Sequence, residues 1–299
     1  MLFKVVLWGY GNEYRKWRKR LRELHDADII HVLGITATEQ PELMEIDGWP
    51  VISPTSISST ELDYVIICSK KYYYEIISFA SRFLNVDNQK FLPLWLVDEL
   101  LYEKGFADDY ELLKKSRISI LSNDCWGGII SHTLGVEHLS PTKNCWFYDH
   151  DYIKLLENLK HYLLETDPVF YEWRQGENKE PDRYPVLLLD DIRIFCNHDS
   201  DPEISINNWI RRRGKMNYDN IFVSFSPKTP EYEKSFSRLE GYNKRLCIVP
   251  WTPNSPISIR PLPLPTDKQW QAAVIRTALP NGCRTYFSPA KLLLTGEHY

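Results

Sequence analysis

The sequence predicts an α/β protein made of two Rossmann-like domains with mostly parallel sheets. Short apolar runs alternate with helical stretches in both halves of the chain, and strands separated by helices in this way are typical of βαβ units. The length of 299 residues is enough for two domains at roughly 100–200 residues each. We expect a first domain at residues 1–100, a connector at 101–115 and a second domain at 116–299.

Composition and charge narrow the function classes. Lys and Arg number 36 and Asp and Glu 40, a formal net charge of −4, whereas a dedicated nucleic-acid binder shows a basic excess. The six cysteines contain no C-x-x-C pair and lie mostly in apolar runs, as reduced thiols of a cytosolic protein do. Neither a signal peptide nor a membrane span is evident. We expect a cytoplasmic protein without a nucleic-acid partner.

In the first domain, the predicted strands are residues 4–8, 29–35, 49–52, 64–68 and 91–96. Helices are predicted between them at residues 13–24 and 72–84. The first helix carries six cations: Arg15, Lys16, Arg18, Lys19, Arg20 and Arg22. They surround the helix, which favours a solvated helix, while the alternative is peripheral contact with anionic lipid at the inner membrane surface.

Gly9 and Gly11 lie between the first strand and the first helix. Two glycines there let the backbone approach a phosphate at a helix N-terminus. The dinucleotide fingerprint is incomplete, because Tyr14 takes the third glycine position and the second strand ends without an acidic residue. The incomplete fingerprint disfavours an NAD-linked enzyme. Two interpretations remain: a nucleotide or nucleotide-sugar site, with Ser69 as a further contact, or a tight structural turn.

In the second domain, the predicted strands are residues 117–121, 144–148, 186–189, 192–196, 220–225 and 245–249. Helices are predicted after the loop 122–128, at 152–164 and at 203–213. Asp190-Asp191 is expected to form a tight turn, and the polar segment 174–183 a surface loop. Residues 250–265 contain six prolines, which predicts an extended C-terminal arm without regular structure.

The loop 122–128 is the strongest candidate site, because it follows a strand and precedes a helix, where open α/β sheets place ligands. Its catalytic candidates are Asp124, Cys125 and, one turn beyond Gly128, His132. A carboxylate near a histidine can act as a general base, and a cysteine near a histidine as a nucleophile. The substrate-binding candidates are Asn123, Trp126, Gly127 and Gly128. The alternative is a helix cap at Asn123 or Asp124, with a buried cysteine and glycines that serve packing.

A second cluster contains Asp190-Asp191, His198, Asp199 and Asp201. The D-x-D spacing of Asp199 and Asp201 suits a divalent metal, but Asp201-Pro202 also predicts a helix start, which we favour. His198 follows a strand end and is a catalytic candidate.

A third group lies on the helix 203–213. Trp209 and Arg213 are four residues apart and, with Arg212, could present a stacking ring beside a phosphate-binding fork. The alternative is a core tryptophan with arginines that extend outward.

Several segments together resemble a known family. In chain order they are Ile120–Gly128, Leu139–Thr142, Tyr184–Val186, Asp191-Ile192, His198, Trp209, Arg212-Arg213 and Asn217–Val223. Over about residues 115–250 they resemble the bacterial domain of unknown function 1919 (DUF1919), whose members are commonly labelled exopolysaccharide biosynthesis proteins. The segment Ile46–Pro54 resembles Rossmann-like domains of sugar-modifying transferases. In such relatives, glycines like Gly9 and Gly11 line a nucleotide-sugar pocket.

These observations predict a transferase of surface-glycan biosynthesis that moves a glycosyl or acyl group onto a sugar intermediate. The site would lie where the loop 122–128 meets His198 and the helix that carries Trp209 and Arg213. Asp124 or His132 would act as the base, and Arg212 or Arg213 would neutralise a diphosphate. The donor would be a nucleotide sugar or an acyl-CoA, with the need for a divalent metal and the oligomeric state left open. The alternatives are a non-catalytic nucleotide-sugar-binding or scaffold protein and an NAD-linked sugar dehydrogenase.

Overall fold

The structure is a computed structural model that describes residues 2–39, 42–103, 105–176, 182–262 and 269–299. The chain divides into two compact units, residues 1–111 and 112–299. Each unit contains a parallel sheet with helices in its connections, which confirms the predicted α/β class. Among the described residues, no helix has the length and apolar character needed to cross a membrane.

The strands of the first unit are β1 (Phe3–Trp8), β2 (Ile30–Thr36), β3 (Glu45–Ile46), β4 (Trp49–Pro50), β5 (Tyr64–Ile67) and β6 (Phe91–Pro93). The helices that begin in it are α1 (Asn12–Asp26), α2 (Tyr73–Phe83), α3 (Glu99–Tyr102) and α4 (Phe106–Ser116), which continues past the unit boundary. Four strands form a parallel sheet in the order β2-β1-β5-β6, and β3 and β4 form a separate hairpin. The central strands β1 and β5 are almost wholly buried, as expected for a sheet covered on both faces.

The strands of the second unit are β7 (Ser119–Ser122), β8 (Val169–Gln175), β9 (Arg183–Leu189), β10 (Ile192–Phe195), β11 (Ile221–Phe225), β12 (Lys244–Ile248) and β13 (Ser258–Ile259). Its helices are α5 (Trp126–Leu134), α6 (Asp149–Glu157), α7 (Pro202–Arg213), α8 (Pro230–Ser237), α9 (Trp270–Thr277), α10 (Pro280–Cys283) and α11 (Pro289–Thr295). A parallel sheet has the order β13-β12-β11-β7, and an antiparallel sheet the order β10-β9-β8.

Three predicted segments of the second unit differ from the structure. Residues 169–175 form the edge strand β8, which the sequence did not predict. Its last two residues, 174 and 175, fall within the expected loop 174–183. The segment 144–148 is not a full strand and makes one antiparallel bridge, between Trp146 and Phe195. The proline-rich segment contains β13, which adds to β12 where two residues without proline allow pairing. Part of that segment, 263–265, lies outside the described residues.

Candidate functional site

The carboxyl ends of β7 and β11 are held together by Asn123. The Asn123 amide donates to the Ser226 carbonyl at 3.3 Å, and its side-chain oxygen accepts the Ser226 N–H at 2.9 Å. Asn123 is buried, and both polar groups of its side chain are hydrogen-bonded within the protein. It therefore positions the loop that follows β7, and the structure does not leave it free for the substrate contact predicted from the sequence.

Two further backbone connections bring β10 to the same place. The Phe147 N–H donates to the Asn123 carbonyl, and Trp146 and Phe195 exchange N–H···O bonds in both directions at 3.0 Å. His198 comes three residues after Phe195, at the end of the hairpin strand. The segment 145–148 thus connects the end of β7 with the end of β10.

Cys125 and His198 meet at this junction. The Cys125 Sγ lies 3.5 Å from the His198 Nε2, although 73 positions separate the two residues in the chain. Cys125 immediately precedes α5, and it is the one cysteine of the six that is not buried. A thiol within reach of an imidazole is the arrangement of a nucleophile and its general base.

The environment of Cys125 keeps its sulfur protonated at neutral pH. Burial, and after it the charge of Asp124, raises the pKa of the Cys125 thiol to about 11. Since a thiol is a weak nucleophile, proton removal has to accompany attack, and His198 is placed to accept that proton.

The first turn of α5 offers backbone donors beside the thiol. The Trp126 N–H donates to the Asp124 Oδ1 at 2.8 Å and the Gly127 N–H to the Ser122 Oγ at 3.1 Å. The Gly128 N–H has no hydrogen-bond partner among the described residues. A free N–H one turn from a nucleophile can stabilise negative charge that develops on a reacting oxygen.

An aromatic cluster that sequence analysis missed lies at the same junction. Trp146 stacks on Phe195 with 3.8 Å between ring centroids, and the Tyr148 ring meets the Phe195 ring edge-on. The Arg174 guanidinium lies 5.3 Å from the Trp146 centroid and donates to the Tyr148 hydroxyl at 2.8 Å. The available signal was the alternation of Trp146 and Tyr148 in an extended segment, which places both rings on one face.

The structure gives Asp124 a contact with the backbone of α5 and places His132 away from Cys125. The Asp124 Oδ1 accepts the Trp126 N–H, so this carboxylate caps the start of α5. Burial is the main cause that raises the pKa of Asp124. His132 is exposed on α5, seven residues after Cys125 and therefore about 10 Å along the helix axis. His198 is the histidine that reaches the thiol.

Trp126 is a core residue and not a substrate-stacking ring. Its side chain is fully buried, its Nε1 donates to the Thr277 hydroxyl at 3.0 Å, and its ring stacks on Phe222. Trp126 thus packs α5 against α9 and the parallel sheet.

The helix α7 does not present the predicted ring and fork. Trp209 is buried in the hydrophobic core. Arg213 donates to the Thr166 carbonyl at 2.6 Å and pairs with Asp167. Arg212 alone of the three lies near the loop, where it donates to the Lys143 carbonyl at 2.8 Å.

The two glycines of α5, Gly127 and Gly128, have different roles. A Cβ at Gly127 would lie 2.8 Å from the Ser122 Oγ, so Gly127 allows α5 to pack closely on β7. A Cβ at Gly128 would meet only the Lys143 Cγ, at 3.8 Å. Gly127 is therefore required for packing, whereas the backbone of Gly128 is not covered by a close neighbour.

Asp199 and Asp201 both accept hydrogen bonds from α7. Asp201 caps α7 by accepting the Glu203 N–H at 2.7 Å and the Ile204 N–H at 3.3 Å, as the helix-start interpretation predicted. Asp199 accepts the Ser205 hydroxyl at 2.9 Å. Among the described residues, no group of three metal-binding side chains is found.

The candidates of the first unit lie at the carboxyl ends of β1 and β5. Gly9 has a φ of +105° and contacts Cys68, and a Cβ at Gly11 would meet nothing within 4 Å. The Ser69 hydroxyl accepts the Tyr72 N–H at 3.2 Å, so it supports the start of α2.

Most cations of α1 already have partners. Within the first unit these are Glu13 for Lys16, Asp47 for Arg18, Glu23 for Lys19, Asp98 for Arg20 and the Asp47 carbonyl for Arg22. Such pairing favours the interpretation of α1 as a solvated helix over one that awaits anionic lipid.

Comparison with known proteins identifies the family of the second unit. Residues 100–255 match the family described as "Domain of unknown function (DUF1919)", a match that covers more than half of the 299 residues. The chain belongs to the DUF1919 family. The DUF1919 match includes both Cys125 and His198, and residues 1–92 match a second family, described as "C2185-like, N-terminal".

An uncharacterized protein of Haemophilus influenzae (strain Rd) is similar to this DUF1919 chain. It is 28% identical over 135 residues, which are 44% of the chain and 62% of the relative. The chain therefore matches less than two thirds of that relative's length.

Proposed function

We propose that this DUF1919 protein is a thiol-dependent acyltransferase of surface-glycan biosynthesis. The observation that carries the proposal is the 3.5 Å approach of the Cys125 Sγ to the His198 Nε2. A thiol nucleophile favours acyl over glycosyl transfer, because it forms a thioester with an acyl group, and the neighbouring carboxylate of Asp124 is occupied by the Trp126 N–H. The pathway rests on the label that DUF1919 members commonly carry.

The reaction divides into two steps. His198 takes the Sγ proton while the sulfur attacks the carbonyl of an acyl donor such as an acyl-CoA. The donor's thiol leaves with the proton from His198, and an acyl-thioester remains on Cys125. A sugar hydroxyl then loses its proton to His198 and attacks the thioester carbonyl. The bond to the Cys125 sulfur breaks, and His198 returns the proton to that sulfur. Atoms balance without an added co-reactant.

The acyl-enzyme can be tested with p-nitrophenyl acetate as a generic acyl donor. We expect a burst of nitrophenol and the mass of one acetyl group on Cys125. Cys125→Ala should abolish both, and His198→Ala should slow the burst by about 10²-fold or more. The matched control is Cys68→Ala, which removes a buried cysteine of the first unit and should leave the burst unchanged. Acetyl mass on another residue, or a burst in Cys125→Ala, would overturn the proposal.

A second function, nucleotide-sugar binding by the first unit, has support of its own. β2 and β5 lie on opposite sides of β1, and open α/β sheets bind ligands where the chain leaves such neighbouring strands. Gly11 has open space at the start of α1. A UDP-sugar should raise the melting temperature of the wild type, and Gly11→Val should remove the shift without lowering stability. An equal shift in Gly11→Val would refute this site.

A further inference from the structure

Two cations of the second unit lie together without a counter-charge. Arg212 donates to the Lys143 carbonyl at 2.8 Å, and both side chains are partly buried. Among the described residues, neither forms an ion pair, whereas their neighbours Arg213 and Lys215 pair with Asp167 and Glu137. Adjacent like charges withdrawn from water are unfavourable unless an anion compensates them.

The charges that shift the pKa of Lys143 are both positive. Burial, then the charges of Arg212 and Arg211, lower the pKa of the Lys143 amine. The nearby imidazole of His138 adds no positive charge, because burial, then Lys143 and Arg212, lower its pKa to about 3. Arg211 itself is exposed and donates to Asn208. Lys143 and Arg212 are thus the two cations that an anion would meet.

His138 contributes an unpaired acceptor to this group. The Ser131 hydroxyl donates to the Gly127 carbonyl at 2.8 Å, so it receives the proton of the His138 Nδ1 at 3.1 Å. The Nε2 is then unprotonated, and it is a buried atom without a hydrogen-bond partner. A bridging water that donates one hydrogen to this nitrogen and the other to a phosphate oxygen can satisfy such an atom.

The pair lies next to the first turn of α5. The Lys143 Cγ is 3.8 Å from the place of a Cβ on Gly128, and Gly128 is three residues after Cys125. The unpaired Gly128 N–H and the positive end of the α5 dipole act at the same turn. Four features therefore favour negative charge here: two cations, a free N–H and a helix N-terminus.

We propose that Lys143, Arg212 and the Gly128 N–H form a phosphate-binding site that holds the diphosphate group of a substrate. The assignment of that substrate as the donor or acceptor of acyl transfer rests on the proposed function, whereas the anion site does not. Coenzyme A and nucleotide sugars both carry a diphosphate, so the chemistry they share is recognised here.

The test is titration calorimetry of the full chain with inorganic pyrophosphate. We expect saturable binding that Lys143→Gln weakens by about tenfold or more, because a partly buried charge is removed. Lys215→Gln removes the same charge from an exposed residue nearby and should change the affinity less than about twofold. Arg212→Lys, which keeps the charge, serves as a second variant if Lys143→Gln does not fold. No binding, or equal binding by Lys143→Gln and the wild type, would overturn the site.

Two further measurements distinguish coenzyme A from a nucleotide as the carrier of the diphosphate, and the anion site from the proposed acyltransferase activity. Tighter binding of coenzyme A than of UDP would assign the site to an acyl donor, and the reverse to a nucleotide-linked acceptor. Cys125→Ala should bind pyrophosphate as the wild type does. Pyrophosphate binding without an acetyl burst would retain the anion site and refute the acyltransferase, and a burst without pyrophosphate binding would do the opposite.

Discussion

Asp124 and Cys125 are adjacent, and the charge of Asp124 adds to burial in keeping the Cys125 thiol protonated. The Asp124 carboxylate accepts the Trp126 N–H, and its charge adds to burial in raising the pKa of the Cys125 thiol. A resting thiol resists oxidation and alkylation better than a thiolate, because the thiolate is the reactive form. The cost is that His198 must remove the proton during attack.

The substitution Asp124→Asn should make Cys125 more reactive. Asparagine retains an oxygen for the Trp126 N–H but lacks the charge, so we expect iodoacetamide to label Cys125 about three to ten times faster at pH 8. Peptide mass spectrometry distinguishes Cys125 from the five buried cysteines. Asp219→Asn, the same change at an exposed position, is the control. If Asp124→Asn labels at the wild-type rate, the charge of Asp124 does not affect the reactivity of the Cys125 sulfur.

The packing of α5 on β7 depends on one of two adjacent glycines. Gly127→Ala places a Cβ 2.8 Å from the Ser122 Oγ and 3.1 Å from the Ile120 Cγ2, and we expect about 1–3 kcal/mol of destabilisation. Gly128→Ala has room, and alanine favours a helix over glycine by up to about 1 kcal/mol, so stability should hold or rise. Urea unfolding of the two variants measures the difference. Equal changes in stability in the two variants would show that the contact of Gly127 with β7 does not decide the outcome.

Glu233 holds α8 to the segment after β12. It is buried and accepts hydrogen bonds from the Trp251 indole at 2.6 Å and the Asn254 N–H at 2.9 Å. Burial raises the pKa of Glu233, but the hydrogen bonds from Trp251 and Asn254, together with the nearby Ser258 hydroxyl, outweigh it and leave the pKa below its usual value. The ionised carboxylate is therefore the stabilising form.

Glu233→Gln should destabilise the chain by about 1–3 kcal/mol at neutral pH. Because the folded-state pKa is lowered, the stabilisation is fully present above the ordinary pKa of 4.5 and is lost as the pH falls through the lowered value. Denaturant unfolding of wild type and variant at several pH values should give a difference that shrinks in acid. A difference that is constant with pH would contradict the role of the charge.

The strands and the loop at the end of β7 could be predicted because local patterns determine them. Val186–Leu189 and Ile192–Phe195 form the predicted hairpin, with Asp190 at a φ of +57°. The sequence predicted that the loop 122–128 and His198 lie together, but the contact between the His198 Nε2 and the Cys125 Sγ could not be predicted, because it depends on the bridge between Trp146 and Phe195. From the sequence, Trp126 and Trp209 could each be a substrate-stacking ring or a core ring. Only the packing shows that both are core rings.

The two units each have a parallel sheet and a buried core of their own, so we expect separate unfolding transitions. The buried thiols of Cys68 and Cys247 report on the first and second unit. Ile66→Ala removes a fully buried side chain of β5, at a cost of about 2–5 kcal/mol. It should lower the urea midpoint at which Cys68 becomes alkylated and leave that of Cys247 unchanged. Ile248→Ala in β12 should do the reverse, since each unit depends on its own sheet, and midpoints that move together in both variants would mean that the chain unfolds as one cooperative unit.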